Sequence, residues 1–226
     1  MKIRIVALPD WSITRNLSSW TRRLKIPLAG AQSDMDALII IGNGTPDDVV
    51  LLILTHKMDG DHVVGITKPK ERLGTDSISS IRQYLGRIKN LIFVIDQEKD
   101  TLEDIWRRVD EKLQGNGIAS RLIEGDKRIK IFDCSLGSYK FKVSIVINGL
   151  DGQYQKHTIE EHLIEYYRRV LGGSLSNVAD DPKDIWESLG ERLHKDIYCK
   201  LLNSSKDEIN EIFPLHIKAL EAVCSK

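Results

Sequence analysis

Apolar positions fall along this chain in recognisable runs. Residues 37–41 (ALIII) and 91–95 (LIFVI) are unbroken apolar stretches, the mark of strands covered on both faces. Residues 2–8 and 62–67 (HVVGIT) read as two more strands. Between them lie segments of helical character. One carries Trp11 and Trp20 and ends near Pro27 and Gly30. Another runs to about His56, with Thr45 as N-cap, Pro46 at the first helical position and Asp47 and Asp48 in the first turn. Residues 77–89 and 102–113 are the next two, the second ending near Gly115 and Gly117. Strand alternating with helix predicts an α/β fold, a mostly parallel sheet with helices on both faces.

The pattern changes further on. Residues 121–133 (RLIEGDKRIKIFD) and 140–149 (KFKVSIVING) read as two strands joined around residues 135–138, where Gly137 permits a turn. After Gly149 and Gly152 the chain is helical to its end. Its starts are marked by T-x-x-E at Thr158 and Glu161, by Asp181-Pro182, and by S-x-x-E at Ser205 and Glu208. Pro214 should kink or divide the last helix. The expected division is an α/β domain over residues 1–150 and a helical C-terminal extension over 151–226.

Composition narrows the class. With 226 residues, 29% charged and 41% hydrophobic, the chain can bury a full core. Lys plus Arg equals Asp plus Glu at 33 each, so net charge is neutral on a polyanionic partner and only local clustering bears on one. Cys134, Cys199 and Cys224 are far apart with no CxxC, which fits a reduced compartment and no zinc site. The N-terminal apolar run is too short for a signal peptide, and no segment approaches a membrane span of ~20 apolar residues. A cytoplasmic protein is expected.

The chemistry concentrates where apolar runs end. Ligands of open α/β sheets bind beyond the carboxyl ends of strands. Ile41 is followed by Gly42-Asn43-Gly44, and Ile95 by Asp96-Gln97-Glu98. In an extended backbone, Asp96 and Glu98 point to the same face. Two such carboxylates, with water and phosphate oxygens, suit Mg²⁺ or Mn²⁺. Asp100 offers a third ligand. Helix capping competes as an explanation: Asp100 or Thr101 caps residues 102–113, and Glu103 and Asp104 sit in the first turn. Capping accounts for Asp100, Asp47 and Asp48, but poorly for Asp96, which comes directly off the strand.

Together, IIIGNGTPDDVVLLIL and LIFVIDQEKD resemble the topoisomerase–primase (Toprim) domain, over roughly residues 36–150. That family carries Glu-Gly and a further acid after one strand, and Asp-x-Asp after another. Gly44 matches the glycine, Asp47 the following acid, Asp96 the first Asp, Glu98 the second, and Asp100 a trailing acid. The resemblance implies a Mg²⁺ or Mn²⁺ site at Asp96, Glu98 and Asp100 and chemistry on nucleic-acid phosphodiesters by Asn43, Asp47, Asp96 and Glu98. One position departs. Asn43 stands where the family has its Glu, and an amide exchanges no proton at neutral pH. Glu160 or Glu161 could supply the missing carboxylate, although a capping box also explains Glu161. His157 and His162, five apart, read as surface or capping histidines.

Other motifs add less. GNG lacks the third glycine of a dinucleotide fingerprint, and no P-loop or serine elbow is present. Lys68, Lys70 and Arg72 form a basic stretch after a strand, one candidate for contact with DNA or RNA beside Arg107-Arg108, Lys127-Arg128-Lys130 and Arg168-Arg169, although each is more often an ordinary solvated face. Trp106 and Trp186 read as anchors of helices to the core. Three functions follow: a metal-dependent nuclease, a Toprim-like module that binds nucleic acid or a protein without cleaving, and a nucleotide-binding or phosphotransfer domain. Asn43 favours the second over the first.

Overall fold

The computed structural model describes residues 1–6, 11–30, 34–42, 46–69, 73–85, 88–152, 154–175 and 181–224. Asn43, Gly44, Thr45, Lys70 and Arg72 lie outside them. The strands are β1 (Lys2–Ile5), β2 (Ala37–Ile41), β3 (Val63–Thr67), β4 (Asn90–Asp96), β5 (Ala119–Asp126), β6 (Ile129–Leu136) and β7 (Tyr139–Asn148). The helices are α1 (Trp11–Leu24), α2 (Asp47–Lys57), α3 (Ile81–Tyr84), α4 (Leu102–Gly115), α5 (Ile159–Arg169), α6 (Pro182–Asn203), α7 (Lys206–Ile212) and α8 (Pro214–Cys224).

Among the described residues the sheet has seven strands in the order β1-β3-β2-β4-β7-β6-β5. From β1 to β7 neighbours run parallel, while β6 and β5 are antiparallel. The α/β expectation therefore holds.

Period-two alternation divides the sheet into two cores. Ala37, Ile39, Ile41, Ile92 and Val94 face one side, with α1, α2 and α5–α8 packed on it. Leu38, Ile40, Leu91, Phe93 and Ile95 face the other, beneath α3 and α4. Helix α2 is apolar all round (VVLLIL) and buried from Asp47 to Thr55, as such a helix must be. The helices after residue 150 share one apolar cluster with β1–β4, so they complete the sheet's cover rather than stand apart from it.

Strand order also creates a crevice. The chain leaves β2 for β3 on one side and then crosses to β4 on the other. Helix α2 follows β2 onto one face and α4 follows β4 onto the opposite face. The carboxyl ends of β2 and β4 are thus a topological switch point, where ligands of such sheets bind.

Three local expectations change. The run 121–133 is not one strand: it turns at Lys127-Arg128 and forms the hairpin β5–β6. The helix expected over 77–89 is a 3₁₀ turn, Gly74–Ser80, leading into the single turn of α3. Thr158 caps α5 without a side-chain bond, whereas Ser205 and Glu208 form the full capping box of α7. Pro214 divides the last helices, and Pro182 opens α6 behind the capping Asp181. Trp106 is buried against the second core and donates from Nε1 to Lys127 O at 3.0 Å.

Candidate metal and phosphate site

Strand β4 ends on Asp96, and its partner in β7 at that level is Asn148. The amide Nδ2 of Asn148 donates to Asp96 Oδ1 at 2.8 Å and to Asp47 Oδ1 at 2.8 Å. One amide thereby uses both its hydrogens on two carboxylates from different elements. Its Oδ1 lies 2.8 Å from His216 Nε2. Since both amide hydrogens are committed, His216 must donate from Nε2. Burial pushes the His216 pKa well below 6.5, so the ring is neutral, and its Nδ1, left as an acceptor, has no partner among the described residues. The chain is imidazole to amide to two carboxylates, and all four groups are buried.

Burial dominates the electrostatics. It raises Asp47 well above the usual carboxylate range, and the charges of Asp96, Glu160 and Asp48 add to the effect. It raises Asp96 to about 7 against the opposing Asn148 bond. Glu160, in the first turn of α5, is raised by burial as well. Three carboxylates in so dry a place must hold protons or face a cation. Lys183 of α6 is one cation: its Nζ lies 2.6 Å from Glu98 Oε1 and 3.9 Å from Asp96 Oδ2. Burial alone would lower its pKa, but the bond to Glu98 and the charge of Asp96 carry it above 10.5.

These groups open on a cavity of about 370 Å³. Asp47, Asp96, Glu160 and Lys183 line one part of it. Trp20 of α1 and Trp186, His194 and Tyr198 of α6 line another.

The expected residues divide. Asp47 sits in the first turn of α2 as expected, and its Oδ1 also accepts from Asn148 Nδ2, a contact that capping does not explain. Burial raises the Asp48 pKa, against the opposing bond from Asn16 Nδ2 at 2.7 Å and the charge of Lys68. Glu98 does not continue the face of Asp96. Its φ is +55°, and its backbone bridges that of His157. The extended spacing assumed for the pair therefore fails, although Lys183 still joins their side chains. Asp100 pairs with Arg108 on the exposed side of α4, and Thr101 is the N-cap. Neither His157 nor His162 is an ordinary surface group. His157 Nδ1 meets Glu161 Oε1 at 2.9 Å. His162 is buried, its Nδ1 donating to Ile212 O at 2.7 Å and its Nε2 accepting from Gly149 N, and burial pushes its pKa to about 4. Glu161 is raised by burial to about 7, but its carboxylate is committed to Leu150 N and His157.

Asn148, His216 and Lys183 carried no signal in the sequence. Asn148 ends a strand as any turn residue would, and Lys183 follows a helix-start proline like an ordinary surface lysine.

Fit to Mg²⁺ or Mn²⁺ is of one kind only. Among the described residues no group of three or more His, Cys, Asp or Glu is arranged to hold a metal ion. Mg²⁺, however, characteristically takes one or two carboxylates, with water and phosphate completing its shell. Asp47 and Asp96 meet that requirement, and Glu160 Oε2, buried without a hydrogen-bond partner among the described residues, is a further hard oxygen in the same cavity. No helix among the described residues is long and apolar enough to cross a membrane. No protein-family model, curated protein or solved structure matches this chain.

Proposed function

We propose that the chain is a Toprim-like protein that acts with a divalent cation on nucleic-acid phosphodiesters, as a nuclease. The observation that carries this reading is the Asp47–Asp96 pair, bridged by Asn148 at the switch point of a parallel sheet. Asp47 and Asp96 would hold Mg²⁺ or Mn²⁺. The ion would supply polarisation of the phosphate and a lowered pKa for an attacking water.

The chain's own residues do the rest. Glu160, whose pKa burial raises, accepts the proton of the attacking water and stands in for the carboxylate that Asn43 lacks. Lys183 moves from Glu98 to a phosphate oxygen and offsets its charge. Asn148 holds the two aspartates together against their repulsion. Glu98 serves as the resting partner of Lys183 rather than as a ligand. Lys68, with Lys70 and Arg72 beyond it in sequence, offers positive charge to the nucleic-acid backbone.

The test is cleavage of single- and double-stranded DNA and RNA with Mg²⁺ or Mn²⁺ beside a metal-free control. Metal-dependent cleavage abolished by Asp96→Asn supports the reading. Asn43 favours one rival, a module that binds nucleic acid without cutting it. Retardation of nucleic acid with no cleavage at any metal concentration would select that rival.

A further inference from the structure

We infer that the substrate of this site is an unpaired nucleotide in a single strand, not a base-paired duplex. The inference rests on the metal-dependent reading above and names its substrate class.

Access is the first argument. Asp47 is 2% exposed, Asp96 7% and Glu160 5%. They lie beneath α1 and α6 and open on a cavity of about 370 Å³, near the lower end of the roughly 300–1,000 Å³ of small-molecule sites. Such a volume admits one nucleotide. A duplex carries its phosphodiesters on the outside of a stiff rod, and reaching buried carboxylates would require unpairing and extruding a nucleotide.

The walls are the second argument. Trp20 meets Tyr198 edge-on at 5.0 Å, and Trp186 stacks on His194 at 4.0 Å with planes 7° apart. Trp20, Trp186 and Tyr198 are themselves 8%, 5% and 2% exposed, so these rings form a rigid apolar wall, and a base packs against the edges they leave open. Apolar packing of this kind tolerates any sequence, because every base has a π-face. Asp47, Asp96 and Lys183 then meet the phosphate at the polar end of the same cavity.

The third argument is an unsatisfied group. Glu160 lines the cavity and is buried, yet among the described residues its Oε2 has no hydrogen-bond partner. A buried acceptor in this condition calls for a donor, which a sugar hydroxyl, a base amine or the attacking water provides.

The experiment compares one labelled DNA strand and one labelled RNA strand, each free and in a blunt duplex, with full-length protein and Mn²⁺. Thymidine 5′-monophosphate is the competitor, and its quenching of tryptophan fluorescence is read separately. Free strands should be cut at least about tenfold faster than duplexes, with the mononucleotide competing. Trp186→Leu should raise KM about tenfold with little change in kcat, and Trp186→Phe should restore it. If Trp186→Leu fails to fold, the mononucleotide competition decides. Equal rates on free strands and duplexes overturn this inference and leave metal-dependent cleavage standing. No cleavage of any substrate overturns the nuclease reading. In that case Mn²⁺-dependent quenching by the mononucleotide still upholds the site's preference, and its absence overturns both.

Discussion

Asp96 and Asn148 face each other across the parallel register of β4 and β7, joined by a 2.8 Å bond from the amide to the carboxylate. The same amide holds Asp47, so Asn148 sets the spacing of the acidic pair. Asn148→Leu removes both donors and strips each buried carboxylate of its amide bond. At roughly 1.5–3 kcal/mol for each bond to a charged group, the loss in urea unfolding at pH 8 without metal should be about 3 kcal/mol or more. A loss below about 1 kcal/mol would show that the amide does not hold the pair. His216→Gln, which keeps a donor for Asn148 Oδ1, should be milder than His216→Phe.

Titration of the pair has a definite sign. The Asp96 pKa is about 7 in the folded protein and near the ordinary 3.8 of an aspartate when unfolded. A carboxyl whose pKa is raised by folding favours the fold fully below its unfolded pKa. That contribution is lost as pH rises from about 4 through about 7. Buried neutral histidines act oppositely. His162, at about 4 when folded, costs stability as pH falls below its unfolded value of 6.5. Total stability therefore mixes both trends, and a difference isolates one. Asp96→Asn should be more stable than wild type at pH 8 without metal, with the gap closing between pH 7 and pH 4. A gap constant across that range would mean that Asp96 titrates normally.

Lys183 separates metal binding from turnover. Its ammonium stands 3.9 Å from Asp96 and competes electrostatically with a divalent ion. Lys183→Met should bind Mn²⁺ several-fold more tightly yet cleave roughly 10²-fold more slowly, the scale seen when one charge-stabilising donor is lost. Weaker metal binding together with unchanged cleavage would contradict the role assigned to it.

The capping box of α7 supplies a control remote from the site. Ser205 Oγ accepts from Glu208 N at 3.2 Å, and Glu208 reaches back to Ser205 N at 2.8 Å. Ser205→Ala should cost about 1 kcal/mol in thermal or urea unfolding and leave Mn²⁺ affinity unchanged.

What the sequence disclosed follows from how local each signal is. ALIII and LIFVI announced buried strands because both faces of β2 and β4 are covered. Asp96 was legible because an acid directly off such a strand has no capping role. Asp47 stood out only through the resemblance, since a first-turn acid is ordinary and its contact with Asn148 spans 101 residues. Glu98 misled because its left-handed backbone breaks the alternation that spacing assumes. His162 read as a surface or capping group, yet it is buried beside His216 where α5, α7 and α8 meet. The β5–β6 hairpin was hidden because Lys127-Arg128 reads equally well as the middle of an exposed strand.

Calorimetric titration of Mn²⁺ into wild type, Asp96→Asn and Asp100→Asn tests the assignment of the metal to Asp47 and Asp96 most directly. Asp100 belongs to Arg108 on α4, so Asp100→Asn should match wild type, whereas Asp96→Asn should lose at least about tenfold in affinity. Equal affinity in all three proteins, or a loss confined to Asp100→Asn, would contradict the account.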